Sequence, residues 1–159
     1  MPLPTLEDVK LRDVPIEVYG EYKDQLPEHF RKRATHFYTE QSRVLKGAKA
    51  WAKGVTEEFG QLMFESGYSP FYQQETGIEE MKTIFDILKN EEGVYGARPS
   101  GAGFRRAVIG LVDSAYKESI QASIVAIYPV EYVEIKDKYE VNFCIAKDGA
   151  RFVEAEELI

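Results

Sequence analysis

Gly96-Ala97-Arg98-Pro99-Ser100-Gly101-Ala102-Gly103-Phe104-Arg105-Arg106 is the stretch on which the fold turns. Val94 to Arg98 reads as a short strand. Pro99 to Gly103 is a loop of small residues. Phe104 to Val112 reads as a second strand, rich in apolar and β-branched side chains. Small residues let a ligand approach the backbone closely and leave amides able to meet oxyanions. As a P-loop the stretch fails. Gly96 and Gly101 have the right separation, but Ala102 stands where a lysine must neutralise phosphate. As a dinucleotide-binding loop it also fails, because Arg106 replaces the third glycine and a strand-like run follows where a helix is needed. A tight turn between two sheet strands is the remaining plain reading.

Upstream of this stretch the period is helical. Residues 1–14 hold two prolines and no clear period, which suggests an extended lead-in. A short helix is expected from Pro15 to Leu26, interrupted at Leu26-Pro27. A long helix follows from about Glu28 to Lys53. Its residues Phe30, Ala34, Phe37, Gln41, Val44, Ala48 and Trp51 recur at spacings of three or four, a mostly apolar stripe read as core packing. Gly54 ends it. Thr56 is placed to cap the next helix, whose inner face is Phe59, Leu62, Met63 and Ser66; Gly67, Ser69 and Pro70 mark a loop. Thr76 and Glu79 have capping-box spacing and open a third helix that buries Ile78, Met81, Ile84, Phe85 and Leu88.

Downstream, Asp113 or Ser114 caps a helix to about Tyr128, stopped by Pro129. Val130 to Ile135 and Tyr139 to Ala146 are expected as strands, and the tail from Glu154 to Ile159 as frayed. The order predicts an α+β fold, with helices packed on one face of a small, mainly antiparallel sheet, as a single domain over residues 15–153.

The chain has 159 residues and a formal charge of −7, with 44% hydrophobic residues. That is enough for one cored domain and too short for most two-domain enzymes. The acidic balance argues against a nucleic-acid partner, and the one basic knot, Arg31-Lys32-Arg33, reads as a solvated helix face. No apolar run approaches the roughly 20 residues a membrane span needs. Met1 to Glu7 lacks the features of a signal peptide, and the single Cys144 has no intrachain partner, so the reading is a cytoplasmic protein. His36 reads as a packed or surface histidine, since no His or Cys partner lies at metal spacing. Cys144 reads as a structural thiol in a buried strand. Glu65-Ser66 and Asp148-Gly149 read as cap and turn residues.

Extended to Glu92-Gly93-Val94-Tyr95 and Ala107, the stretch closely resembles the third signature of the GHMP sugar kinases, in the galactokinase and galacturonokinase branch. Leu11-Arg12-Asp13-Val14, Arg33-Ala34-Thr35-His36, Glu40-Gln41-Ser42-Arg43-Val44 and Phe59-Gly60-Gln61-Leu62-Met63-Phe64-Glu65-Ser66 resemble that branch's C-terminal half, in its order. Glu75-Thr76-Gly77-Ile78-Glu79-Glu80 and Asp148-Gly149-Ala150-Arg151 fit as well.

The resemblance implies a lobe of a two-lobed enzyme that moves the ATP γ-phosphoryl group to the anomeric hydroxyl of a sugar or sugar acid. It implies that Ser100, Gly101, Ala102, Gly103 and Phe104 border the substrate–phosphate cleft. Arg105 and Arg106 are possible anion contacts, or one of them is solvent-facing by strand alternation. Arg106, Ala107 and Pro99 depart from the branch's usual glycine, cysteine and bulky apolar residue; Arg106 either narrows the cleft or meets a phosphate or uronate. The family's ATP loop and catalytic Asp lie upstream of the matched segment, so no residue here is assigned a catalytic role and no metal ligand is named. ATP and Mg are expected only with an N-terminal lobe. The expected partner is that lobe, with self-association through an uncovered apolar face, or a stand-alone sugar- or nucleotide-binding domain, as alternatives.

Overall fold

A computed structural model of the chain describes residues 9–101 and 107–145. The expected strand-loop-strand is present. β1 (Val94–Pro99) pairs antiparallel with β2 (Val108–Val112), with Arg98 opposite Ile109 and Pro99 opposite Val108. A bulge lies between Val94 and Gly96. The Ser100 amide donates to Ala107 O at 2.8 Å, so the hairpin stays closed up to the loop. Residues 104–106 of the expected second strand lie outside the described residues.

Five helices accompany this hairpin among the described residues. They are α1 (Ile16–Tyr22), α2 (Glu28–Ala52), α3 (Thr56–Ser69), α4 (Glu79–Asn90) and α5 (Lys117–Glu131). Of these, α3 and α4 pack directly on the hairpin. The core joins Phe85, Ile87 and Leu88 of α4, Ala97 of β1, and Ile120, Ile124 and Tyr128 of α5. The α+β reading therefore holds: helices pack on a small antiparallel sheet.

The contact between α3 and β1 is unusually close, and glycine permits it. A Cβ built on Gly60 would lie 2.1 Å from Tyr95 O, and one on Gly96 would lie 2.2 Å from Gly60 O. Two turns further along α3, a Cβ on Gly67 would lie 2.6 Å from Ala97 O. The helix backbone thus rests directly on the strand that leads into the glycine loop. This is why Gly67 and Ser69 are buried helix residues and not the loop expected there. A π-helical turn, Pro70–Gln74, follows without a break.

Several boundaries differ from expectation. α3 starts at Thr56 itself with Val55 before it, and α4 starts at Glu79 after Ile78; neither has a side-chain cap. Thr76 donates to Gln74 Oε1 instead, at 3.3 Å. Asp113 does cap, its carboxylate accepting from the Ala115 amide at 2.9 Å. The turn it caps is 3₁₀, Ser114–Tyr116, and α5 then runs through Pro129 to Glu131. Pro129 lies in the last turn, where one missing amide costs the helix little. The expected strand at 130–135 is therefore the end of α5 and a 3₁₀ turn, Val133–Ile135. The described part of the other expected strand, residues 139–145, forms no regular element, and Cys144 is exposed. Its alternating pattern fits a strand, but no neighbour extends the sheet to it among the described residues. In the lead-in, Leu11–Asp13 is a 3₁₀ turn. Residues 1–8 and the tail lie outside the described residues.

The largest departure concerns α2. Its N-terminal half meets α1 through Tyr38, and Ala34 is buried there too. Tyr38 stacks on Tyr19 at 4.5 Å and donates to Val14 O at 2.8 Å. Its C-terminal half packs on α3 through Gly47 and Ala50. Of the apolar stripe read as core, Ala34 is buried and Phe37 half-buried, but Phe30, Val44 and Trp51 are 55%, 60% and 59% exposed. Periodicity shows that a face is apolar, not what covers it. Beside its buried Ala34, Tyr38, Gly47 and Ala50, α2 carries half-buried polar residues whose side chains join a hydrogen-bonded network.

Candidate functional site

That network reaches the end of β1 through Arg98. His36, Thr39, Glu40 and Arg43 lie on one face of α2, because helical residues three and four apart are neighbours. Glu40 is its centre. Its Oε1 accepts from Ser66 Oγ of α3 at 2.6 Å and faces Arg98 Nη1 of β1 at 3.4 Å. Its Oε2 pairs with Arg43 Nη2 at 2.9 Å and accepts from Arg43 Nε at 3.0 Å. One carboxylate thus ties together α2, α3 and the strand entering the loop. Arg98 lies two residues before Ser100.

Burial alone would raise the Glu40 pKa. The hydrogen bonds from Ser66 and Arg43, with the charges of Arg43 and Arg98, outweigh it and hold the carboxyl below its ordinary value. One turn away, His36 Nδ1 lies 2.8 Å from Ser69 Oγ, and Ser69 donates to Gln73 Oε1. Burial lowers the His36 pKa; the positive charges of Arg43 and Arg98 lower it further, while Glu40 opposes them.

Both shifts act in the same direction on stability. His36 resists protonation when folded, so its contribution is complete above the ordinary histidine value, about 6.5, and declines as pH falls below it. Glu40 resists protonation too. Its contribution is complete above the ordinary carboxylate value, about 4.3, and declines as pH falls through the lowered one. We expect the unfolding free energy to drop in two stages on acidification. His36→Gln should flatten the upper stage and leave the lower, as read from urea unfolding at a series of pH values.

Of the residues expected at the site, Ser100 and Gly101 are described. Both lie just beyond the end of β1, Ser100 half-buried and Gly101 exposed. Gly101 has φ +77°, a left-handed conformation that L side chains rarely adopt. The Ser100 amide is used within the hairpin, so Ser100 offers its hydroxyl and not its N–H. Ala102, Gly103, Phe104, Arg105 and Arg106 lie outside the described residues.

Two cavities flank this region. The larger, about 740 Å³, lies between α4, β2 and α5, with Leu88, Val112, Ile120 and Tyr128 in its wall. Its charged lining is Lys138 against Glu80, Glu134 and Glu140, a poor match for phosphate. The smaller, about 290 Å³, adjoins the network and is lined in part by Arg43, Tyr68, Ser69, Gln73 and Lys89. Among the described residues no group of three His, Cys, Asp or Glu side chains could hold a metal ion. No described helix is long and apolar enough to cross a membrane.

Residues 48–130, just over half the chain, match the family model for the C-terminal domain of GHMP kinases. The chain belongs to the GHMP kinase C-terminal family. Among curated relatives, the Arabidopsis thaliana galacturonokinase is 38% identical over 138 residues, covering 84% of this chain and 32% of that protein. A Thermotoga neapolitana galactokinase is 39% identical over 108 residues, covering 68% of this chain and 31% of that protein. Among solved structures, Lactococcus lactis galactokinase complexed with galactose superposes with a TM-score of 0.72 and 28% identity, over 83% of this chain and 33% of that one. The chain thus spans about a third of the length of these relatives. The helices and hairpin described above are the galactokinase C-terminal fold.

The Glu40 network was not recognised from sequence as a unit. Its signal was present as His36, Glu40 and Arg43 at i, i+4 and i+7. Its partners Ser66 and Arg98 are distant in sequence, and only the packing of α3 on β1 brings them in.

Proposed function

We propose that this chain acts as the C-terminal lobe of a galactokinase-like, ATP-dependent sugar 1-kinase. The ATP-cradling loop and catalytic Asp would come from a second lobe, across a cleft bordered by the loop that follows Ser100. The observation that carries this reading is the shared fold with galactose-bound galactokinase, together with a hairpin closed up to Ser100.

Phosphoryl transfer depends on positioning and on stabilising charge, with little covalent work for the protein. In this reading the chain's contribution is rigidity. β1 is fixed by the glycine contact with α3 and by Arg98 on Glu40, so the Ser100 hydroxyl at its end is held in place without reorganisation. The described residues provide no magnesium cluster, and no step is assigned here to the metal. The sugar or sugar acid and ATP would be the ligands of the assembled pair.

Alone, the chain should release no ADP from ATP and galactose or galacturonate. Co-expressed with the N-terminal two thirds of the Arabidopsis galacturonokinase, it should restore sugar-dependent ADP release. A folded complex with no such activity would sink the reading.

A further inference from the structure

The larger cavity takes no part in the proposed phosphoryl transfer. At about 740 Å³ it has the size of a small-molecule pocket, far above the voids that packing leaves in a core. Three of its walls are regular elements, with Leu88 from α4, Val112 from β2 and Ile124 from α5. The fourth is the segment 139–144, whose alternation suggested a strand and which forms no regular element. Tyr139 meets Tyr128 edge-on, 5.1 Å between ring centroids, and Val141 packs against the core. The alternating apolar side chains thus roof the cavity. The roof makes no backbone hydrogen bond of its own among the described residues. A wall held by a few side-chain contacts opens at low cost, which gives a ligand its way in.

The charged groups of the lining are mostly of one sign. Glu80, Glu134 and Glu140 stand against Lys138 alone, and no ion pair joins any of them among the described residues. Two carboxylates are therefore in excess at the edge of an apolar space. Apolar burial favours any ligand that fills the space, and the sign of the edge selects among ligands of one shape. We infer that this cavity is a binding site for a small organic cation with an apolar body. The body lies among Leu88, Val112 and Ile124, and the ammonium meets the glutamates. The claim concerns this chain alone and is independent of the kinase reading.

The test compares three probes that share an indole ring and differ in charge. These are tryptamine, a cation, tryptophol, neutral, and indoleacetate, an anion. Each is titrated into the full chain by calorimetry. Tryptamine should bind about tenfold or more tightly than indoleacetate, the scale on which a cleft of one sign concentrates a counter-ion, with tryptophol between. Glu134 and Glu140 are exposed, so Glu134→Lys with Glu140→Lys should leave the fold intact and reverse the order. The chain carries a formal charge of −7, which attracts any cation. Glu57→Lys with Glu58→Lys, on exposed residues of α3 outside the cavity, changes that charge equally and should leave the order as it was. A Cβ on Gly110 would lie 3.5 Å from Val112 and 3.6 Å from Leu88, both in the cavity wall. Gly110→Leu therefore fills the space without a clash and should abolish binding of all three probes.

The inference is overturned if tryptamine does not bind, or if indoleacetate binds as tightly. Equal effects of the two lysine pairs would overturn it too, since attraction would then follow net charge and not the cavity. So would undiminished binding by a Gly110→Leu chain that melts no lower than the parent. If that variant melts lower, the reversal by E134K with E140K decides alone.

Discussion

Gly60→Val should cost the chain about 3 kcal/mol or more of unfolding free energy, a large part of the 5–15 kcal/mol typical of a domain. Two effects oppose each other at this position. Glycine inside a helix is unfavourable by about 1 kcal/mol relative to alanine, so helix propensity favours any replacement. The Cβ, however, would stand 2.1 Å from Tyr95 O and 2.4 Å from Tyr95 C. Both are backbone atoms of a strand that cannot turn aside as a side chain can. Steric exclusion therefore wins, and α3 must lift from β1 or the hairpin must shift. Gly20 is the control. It lies inside α1 with nothing within 4 Å of its Cβ position, so Gly20→Ala should stabilise by about 0.5–1 kcal/mol. Urea unfolding of both variants checks the pair. A Gly60→Val chain as stable as the parent would mean that α3 does not rest on β1.

Glu40→Ala should be the next most damaging change, at about 2 kcal/mol. It leaves Ser66, Arg43 and Arg98 without their shared acceptor, and Arg43 is only 12% exposed. Leaving a buried cation unpaired costs more than the pair itself contributes. Glu40→Gln keeps an acceptor oxygen and should recover part of the loss. Arg98→Ala should differ in kind. Arg98 is 40% exposed and 3.4 Å from Glu40, so its pair contributes under about 1 kcal/mol to stability. In the assembled kinase, though, it should lower turnover more than substrate affinity, by releasing the strand that leads to Ser100. Denaturant titration and steady-state ADP release separate these outcomes. A Glu40→Ala chain of parental stability would show that the network does not hold the three elements together.

The hairpin was legible because β1 and β2 are adjacent in sequence, with the small residues Ser100 to Gly103 between their apolar runs. α4 was legible because its apolar residues both share a face and find their core. α2 misled for a physical reason. Its apolar stripe was read as core throughout, yet Ala34 is buried while Phe30, Val44 and Trp51 are exposed, because burial depends on what lies opposite. The polar face that does pack inward contains His36, Glu40 and Arg43, which look like solvent-facing residues until Ser66, Ser69 and Arg98 come from elsewhere. Pro129 misled because a proline in a last turn has few hydrogen bonds left to break. Of the glycine loop, Ser100 and Gly101 are described, just beyond the end of β1.

The central claim is that this chain is one lobe of a two-lobed sugar kinase. The direct measurement is ADP release by the purified chain, by the N-terminal two thirds of the Arabidopsis galacturonokinase, and by the two co-expressed. ATP and galactose or galacturonate are supplied in each case. Release only from the pair, dependent on the sugar, is the predicted result. A stable, folded pair that releases no ADP, or release by the chain alone, would contradict it.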